Sequence, residues 1–173
     1  LIGTDVRFMD GSKIPWANKV TNLASNEEYI HTVSMLAAAY AAKGHKVLVV
    51  SDRVNFLKTC ARLVGDKAVC VTGEVPHEER EDIINEIKYK NKNVLFGTQA
   101  IFSEGISVDN LSCLILGTPI NNTPLLTQLI GRVIRKHKGK MQPVIVDIQL
   151  KGKRQASNRV GHYMKEDYDI QYI

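Results

Sequence analysis

The chain has 173 residues, of which 44% are hydrophobic and 24% are charged. This length and balance fit one globular domain with a full core and a short extension. No apolar run approaches the roughly 20 residues that a membrane-spanning helix needs, and residues 1–24 lack the basic-then-apolar order of a secretory signal. The net charge is +5, and residues 132–159 carry nine Lys or Arg against one acid, Asp147. A segment of this kind favours a polyanionic partner, although a solvated basic face explains the charge equally well.

Three cysteines, Cys60, Cys70 and Cys113, lie in apolar surroundings and fit no zinc spacing. They are therefore interpreted as reduced core residues, which indicates a cytoplasmic protein, in the host cytoplasm if it is viral. The five histidines are scattered, and no metal site is predicted.

The first segment with a readable pattern begins near residue 25. Before it, Gly3, Gly11 and Pro15 interrupt any periodicity, so residues 1–24 are predicted to be extended or loop, as in a linker from a preceding domain. Ser25 followed by Glu28 is a capping box, which predicts a helix from there through about residue 42.

Short apolar runs then alternate with amphipathic helical patterns. The runs are residues 47–50, 68–71, 94–96, 113–116 and 144–146. Continuous apolar strands alternating with helices indicate a parallel sheet covered on both faces. The predicted fold class is α/β, a three-layer α/β/α sandwich with a mainly parallel central sheet. It occupies residues 25–150, and a basic extension, residues 151–173, is predicted to be helical and packed on it.

Small or polar residues follow four of these runs. They are Ser51, Thr72, Thr98 and Thr118. Because the carboxyl ends of parallel strands meet at one edge, where ligands bind, these side chains are expected to line a common site. Ordinary turn chemistry is the alternative explanation.

The sharpest local pattern is residues 128–135, Gln-Leu-Ile-Gly-Arg-Val-Ile-Arg. On a helix, Gln128, Arg132 and Arg135 share the face opposite the apolar stripe. Two neighbouring guanidinium groups repel each other unless an anion lies between them, and their planar forks suit phosphate. The pair is predicted to project toward a phosphoryl group at the edge where the strands end, with Asp147 bracing one of the two or capping a turn. A solvated basic helix face is the alternative.

Four segments together resemble a known family. Residues 128–135 resemble motif VI of superfamily 2 helicases, Q-x-x-G-R-x-x-R, and residues 94–108 resemble motif V. Residues 47–53 resemble motif IV, and residues 72–80 resemble the block between motifs IV and V. They occur in the family's order, so the chain resembles the C-terminal RecA-like domain of these helicases. A narrower similarity is to phage and bacterial helicases that remodel branched DNA and to restriction-type subunits, whose last segment carries an Arg and then a Tyr, as Arg159 and Tyr163 do.

The resemblance implies roles for the residues that match its motifs. Arg132 and Arg135 would contact the ATP γ-phosphate, with Arg135 as the arginine finger, and Gln128 would order the same cleft. The motif V turn would face the nucleotide through Glu104, Gly105 and Ser107, where many relatives have Asp in place of Ser107. Gly97 and Thr98 would meet a nucleic-acid phosphate, as would the weaker candidates. These weaker candidates are Ser51, Arg53, Thr72, Gly73 and Arg80.

The chain contains no phosphate-binding loop of the form G-x-x-x-x-G-K-[ST] and no D-E-x-[HD] magnesium motif. ATP and Mg²⁺ are therefore expected to be bound mainly by an N-terminal RecA-like domain of the same protein. The chain alone is predicted not to hydrolyse ATP.

The predicted function is the C-terminal motor domain of an ATP-dependent DNA helicase or translocase that acts on single-stranded or branched DNA. Two alternatives keep the same fold: an RNA helicase, and a nucleic-acid-binding or interaction module without motor activity. A third is a Rossmann-like or flavodoxin-like enzyme, against which the lack of G-x-G-x-x-G after the first strand argues.

Overall fold

The computed structural model describes residues 1–7, 13–89, 91–103, 107–135, 137–151 and 154–173. In chain order its elements are β1 (Ile2–Arg7), α1 (Trp16–Ala24), α2 (Glu27–Ala42), β2 (Val47–Ser51), α3 (Val54–Val64), β3 (Ala68–Val71), α4 (His77–Tyr89), β4 (Val94–Thr98), α5 (Gln99–Ser103), β5 (Cys113–Leu116), α6 (Thr123–Val133), β6 (Val144–Val146), β7 (Ile148–Lys151) and α7 (Arg154–Lys165). Among these described parts, no helix is long and apolar enough to cross a membrane.

The central sheet has five strands in the order β3-β4-β2-β5-β6, and all its pairs are parallel. In the middle strand, Val47 lies opposite Val94 of β4 and Cys113 of β5. Every residue of these three strands is buried, because helices cover both faces of the sheet. The predicted α/β sandwich with a parallel sheet is confirmed.

Alternate residues of β2 enter separate cores on the two faces. Val47 and Val49 pack in the core formed with α2 and α3, whereas Leu48 and Val50 pack in the core formed with α4, α5 and α6. This division follows from the two-residue period of a strand. It places α6, with the sharpest motif, on the second face.

The start of α2 differs from its prediction by one residue. The side chain of Asn26, rather than Ser25, accepts a hydrogen bond from the backbone N–H of Tyr29 at 2.9 Å. Ser25 instead ends α1, and its hydroxyl donates to the carbonyl of Thr21. A helix that begins at Glu27 needs its cap at the residue immediately before it, so the predicted Ser25 cap is wrong. The predicted end at residue 42 is confirmed.

The N-terminal segment is part of the folded unit. Residues 2–7 are extended, as predicted, and β1 pairs in parallel with β7, where Ile2 lies opposite Ile148. Residues 16–24 form the helix α1, which buries Val20 and Leu23, so the expectation of loop there is wrong. A nine-residue amphipathic stretch behind Pro15 gives only two turns of periodicity, which is too little to distinguish it from a loop.

The C-terminal segment is helical and packed, through a buried ion pair. Asp147 follows β6, and its carboxylate accepts hydrogen bonds from Arg159 Nε at 2.7 Å and Nη2 at 2.8 Å. The hydroxyl of Tyr163 donates to the same carboxylate at 2.9 Å. Burial alone would lower the pKa of Arg159, but its hydrogen bonds to Asp147 and the charge of Asp147 raise it. Asp147 therefore binds α7, rather than bracing Arg132 or Arg135.

Candidate functional site

The four polar residues that follow the central strands do meet at one edge. Ser51 lies opposite Thr98 in the register of β2 and β4, and Ser51 Oγ and Thr118 Oγ1 are 2.8 Å apart. Thr72 follows β3, the neighbour of β4, and its Oγ1 accepts a hydrogen bond from the backbone N–H of Glu74. All four side chains are buried. We call this group the hydroxyl row.

Thr98 differs from the rest of the hydroxyl row. Thr98 is 8% exposed, and its Oγ1 is buried and has no hydrogen-bond partner among the described residues. Gly97, beside it, is packed tightly, since a Cβ there would lie 2.9 Å from the ring of Phe102. The glycine thus lets α5 fold back onto β4 directly after Thr98, and the hydroxyl stays at the end of the strand.

The two arginines near the hydroxyl row donate to the chain's own backbone. Arg80 donates from Nε to the carbonyl of Val75 at 2.8 Å and from Nη2 to that of Gly73 at 3.2 Å. Arg53 donates from Nη2 to the carbonyl of Ala17 at 2.9 Å, which joins α1 to the start of α3. These guanidinium groups shape the loops after β2 and β3.

The helix that carries the sharpest motif is shorter than predicted. The side chain of Asn122 caps α6 by accepting from the N–H of Leu125 at 3.1 Å, and the helix ends at Val133, so Arg135 lies beyond it. The predicted apolar face is confirmed, since Leu126, Leu129, Ile130 and Val133 are buried. The opposite face is open: Gln128 is exposed, and nothing lies within 4 Å of a Cβ placed on Gly131.

The two motif arginines have different surroundings. Arg132 is half-buried, and its Nη2 donates to the carbonyl oxygen of Phe102 in α5. Arg135 is exposed. Burial lowers the pKa of Arg132, and the charge of Arg135 lowers it further, so the two cations are close enough to repel each other. Arg132 is thereby fixed to its own domain, and Arg135 points into solvent.

Lys140 fixes the turn that carries Arg135. Its Nζ donates to the carbonyl oxygens of Val133, the last residue of α6, and of Arg135. Gly139 allows the chain to turn back toward the end of α6, because its φ is +75°, in the left-handed region that suits glycine. Burial lowers the pKa of Lys140, whereas the charge of Asp109 raises it. Sequence reasoning did not single out Lys140, and the Gly-Lys pair after the motif was the available signal.

Arg135 and the hydroxyl row lie toward opposite ends of the sheet, which differs from the expectation of one shared edge. A helix between parallel strands runs antiparallel to them. α6 therefore begins near the carboxyl end of β5 and ends near the amino end of β6, and its 11 residues span about 16 Å. Ile134, next to Arg135, lines a cavity with His45 and Val144, which lie at amino ends of strands.

The predicted nucleotide-facing turn is described only in part. Glu104 and Gly105 lie outside the described residues. The hydroxyl of Ser107 donates to Oδ1 of Asp109 at 2.9 Å. Asp109 is exposed and carries a carboxylate two residues after the position where many relatives have Asp. Sequence reasoning did not single it out, although its spacing from Ser107 was visible.

The comparison with known families now identifies the class of protein. Residues 28–137 match the helicase conserved C-terminal domain, which is more than half of the chain. The chain therefore belongs to this family. Together with the parallel α/β sandwich, the match makes it a C-terminal RecA-like domain of a superfamily 2 helicase.

Particular relatives are phage and yeast helicases. The chain is 39% identical over 164 residues to the probable helicase D10 of Escherichia phage T5, covering 91% of this chain and 36% of that protein. It is 31% identical over 147 residues to the putative mitochondrial ATP-dependent helicase irc3 of Schizosaccharomyces pombe, covering 83% of the chain and 24% of the relative. It is 30% identical over 133 residues to the ATP-dependent DNA helicase uvsW of Enterobacteria phage T4, covering 75% of the chain and 26% of the relative. The chain thus spans about a quarter to a third of the length of these relatives.

Two solved structures share the fold at low sequence identity. The crystal structure of T4 UvsW superimposes with a TM-score of 0.76 at 21% identity, over 99% of this chain and 41% of that one. Dbp5 of S. cerevisiae bound to Gle1 and IP6 gives a TM-score of 0.67 at 13% identity, over 99% and 40%. These similarities establish the RecA-like fold alone.

Proposed function

We propose that this chain is the C-terminal motor domain of an ATP-dependent DNA helicase or translocase, and that Arg135 is its arginine finger. The observation that carries the proposal is the contrast between the two motif arginines. Arg132 is bonded to Phe102, whereas Arg135 is exposed on a turn whose carbonyls Lys140 binds. A cation presented from a fixed turn suits the charge that develops on a transferring phosphoryl group.

The ATP γ-phosphate is the part of the nucleotide that this chain's residues fit. Arg135, just beyond the end of α6, and Arg132 and Gln128 within it offer guanidinium and amide donors. In the described residues no group of three His, Cys, Asp or Glu is placed to hold a metal ion. ATP and Mg²⁺ would be bound mainly by an N-terminal RecA-like domain of the same protein. Ser107, Glu104 and Gly105 would face the nucleotide from the motif V turn.

The hydroxyl row is proposed as part of the track for the nucleic-acid backbone. Hydroxyls and backbone N–H groups can bind phosphates without reading bases, which suits a protein that moves along a strand. Thr98 supports this role best, because its buried Oγ1 has no hydrogen-bond partner in the described part of the chain. Gly97, Ser51, Thr72 and Gly73 would share the track. Arg53 and Arg80 would act by shaping its loops, because their guanidinium groups donate to backbone carbonyls.

The names of the relatives favour DNA. The T4 relative is named an ATP-dependent DNA helicase and aligns over 75% of this chain. A mimivirus relative named a putative ATP-dependent RNA helicase aligns over 46%. RNA therefore remains the second candidate substrate, and the assay below includes it.

The test joins this chain to an N-terminal RecA-like domain and measures steady-state ATP hydrolysis with single-stranded, duplex and four-way DNA and with RNA. Arg135→Ala should lower kcat by about 10³-fold or more, as expected for an arginine finger. Lys138→Ala is the matched control, because it removes an exposed cation three residues away. Turnover of Arg135→Ala within a few-fold of the unmodified protein would reject the assignment.

The same assay separates the motor from a plain binding module. The chain alone should not hydrolyse ATP. If it does, and if Arg135→Ala abolishes that activity, the need for a partner domain is contradicted. If the joined protein binds DNA but never hydrolyses ATP, the binding-module alternative is favoured instead.

A further inference from the structure

Basic side chains gather at the amino ends of the central strands. Backbone hydrogen bonds join these strand starts into one row: Val47 N–H donates to Asn93, and Asn93 N–H donates to Lys67. The helices α2, α3 and α4 end beside the same row, because each leads directly into one of these strands. We call the group the amino-end surface. Its members are Lys43, Lys46, Arg62, Lys67, Lys88 and Lys92.

The hydrogen bonds of these amines leave their charge in place. Lys46 Nζ donates to the carbonyl of Lys92 at 2.7 Å and to Oδ1 of Asn93 at 3.0 Å, and both acceptors are neutral. Lys92 Nζ donates to the backbone carbonyl of Asp66 at 2.5 Å. Lys43 Nζ lies 5.0 Å from the ring centre of Tyr40. Because these carbonyl and amide acceptors are neutral, the hydrogen bonds orient the amines without cancelling their charge.

Repulsion between like charges is visible at this surface. Burial lowers the pKa of Lys46, and the nearby charge of Lys67 lowers it further. The acids beside these cations in the described chain are Asp66, Glu86 and Asp109, three against six cations. The C-terminal dipoles of three helices add about half a negative charge each. They offset only about half of the excess, so helix-end stabilisation alone does not account for it.

The opposite edge of the same sheet has the reverse charge. Around the hydroxyl row, the helix starts and loops at residues 26–29, 51–58 and 72–80 carry more acids than bases. The acids are Glu27, Glu28, Asp52, Glu74, Glu78 and Glu79, and the bases are Arg53, Lys58 and Arg80. Of these bases, Lys58 is paired with Glu74 at 2.6 Å. A polyanion is therefore attracted more strongly to the amino-end surface than to the surroundings of the hydroxyl row.

We propose that the amino-end surface is a second nucleic-acid contact, which binds phosphates of the backbone from the side of the sheet opposite the hydroxyl row. Its width suits this partner: three neighbouring strand starts span about 10 Å. Duplex DNA carries one charge per roughly 1.7 Å of its axis, so several phosphates face the surface at once. The inference rests on the proposed function only in taking nucleic acid as the partner.

The test measures binding of a fluorescent duplex DNA to this 173-residue chain across a range of salt concentrations, without nucleotide. The double variant Lys43→Gln/Lys67→Gln removes two exposed cations of the surface. It should weaken binding several-fold and make the slope of log affinity against log salt shallower by about 2, near 0.9 for each lost phosphate contact. Lys13→Gln/Lys165→Gln is the matched control, because it removes the same charge from exposed positions elsewhere. This control should leave the slope nearly unchanged.

Three outcomes would overturn the inference. The first is that neither DNA nor RNA binds at low salt. The second is that the double variant and its control lose equal affinity. The third is that a polyglutamate peptide binds the same surface as tightly as the nucleic acid does. A single-stranded RNA arm distinguishes the nucleic acids, and binding of either supports the contact. The assay needs neither ATP nor Arg135. A negative result therefore does not contradict the proposed motor role, and failure of the motor proposal does not contradict DNA binding at this surface.

Discussion

At the carboxyl ends of the central strands, hydroxyl groups are buried, whereas at the amino ends ammonium groups are partly or fully exposed and donate to neutral acceptors. Ser51 and Thr118 represent the first arrangement, and Lys46 represents the second. Neutral donors act only over hydrogen-bond distances and need fixed geometry. Charges act over roughly 10 Å at moderate salt and need little geometry. One sheet thus offers a contact that depends on fixed geometry at one end and a contact that depends on charge at the other.

The two ends of the sheet are also stabilised by different interactions. The carboxyl end includes the buried pair of Asp147 and Arg159, which joins β6 to α7. The amino end includes His45, buried between the chain's own cations and bonded to Ser112 at 2.8 Å. Damage at the first end should therefore appear as lost stability at any pH near neutral, and damage at the second should depend on pH and salt.

The largest expected effect is at Asp147. Asp147→Ala leaves the guanidinium of Arg159, which is 5% exposed, without its carboxylate. Breaking a buried pair in this way costs about 3–5 kcal/mol. Urea denaturation of this chain, followed by circular dichroism, should show that loss.

The control for this prediction replaces both partners. Asp147→Leu/Arg159→Met removes the two charges together and should recover most of the loss, because no buried charge then lacks a partner. A loss below 1 kcal/mol in Asp147→Ala would mean that the pair does not stabilise α7.

Much of the architecture could be predicted from the sequence. The five strands of the central sheet were visible as continuous apolar runs such as residues 47–50, because both faces of a parallel sheet are covered and its strands consist mainly of apolar residues. The helix α1 and the cap at Asn26 could not be predicted with the same certainty. For α1, two turns of amphipathic pattern do not distinguish a helix from a loop. For α2, two adjacent polar residues can each cap the helix, and tertiary packing decides which one does.

Sequence patterns select the candidate residues of the site, but they do not give its layout. The spacing of Gln128, Arg132 and Arg135 identified the motif, and the strand-end polar residues were visible in the sequence. That the arginines lie at the far end of α6 depends on where the helix runs, which follows from topology rather than from local pattern. The pairing of Asp147 with Arg159, 12 residues away, depends on the packing of α7 and has no local signal.

A second prediction concerns the pH dependence of the amino end. Burial lowers the pKa of His45 below its usual 6.5, the charge of Lys43 lowers it further, and the hydrogen bond to Ser112 opposes both. The folded state therefore binds a proton less readily than the unfolded state. Stability should be full above pH 6.5 and should fall as the pH drops below that value, by at most about 1.4 kcal/mol per pH unit for one proton.

The check compares denaturation midpoints at pH 7.5, 6.5 and 5.5 in the unmodified chain and in His45→Gln. The variant keeps a side chain that can bond to Ser112 but does not titrate, so its midpoint should change less over this range. His31→Gln alters an exposed histidine and should behave like the unmodified chain. An identical pH response in all three proteins would contradict the role of His45.

The smallest expected effect is at Thr98, and it would sharpen the comparison most. Thr98→Val keeps the shape of the side chain and removes a buried hydroxyl that has no hydrogen-bond partner among the residues the structure describes. The free energy of unfolding should therefore rise by about 1 kcal/mol. In the two-domain protein the same change should lower DNA-stimulated ATP hydrolysis several-fold, because the hydroxyl is proposed to bind a phosphate of the strand. Ser51→Ala is a suitable contrast, since it breaks the bond to Thr118 and should destabilise the chain. If Thr98→Val leaves stimulation unchanged or is itself destabilising, the hydroxyl is structural, and the charged amino-end surface becomes the main nucleic-acid contact of this domain.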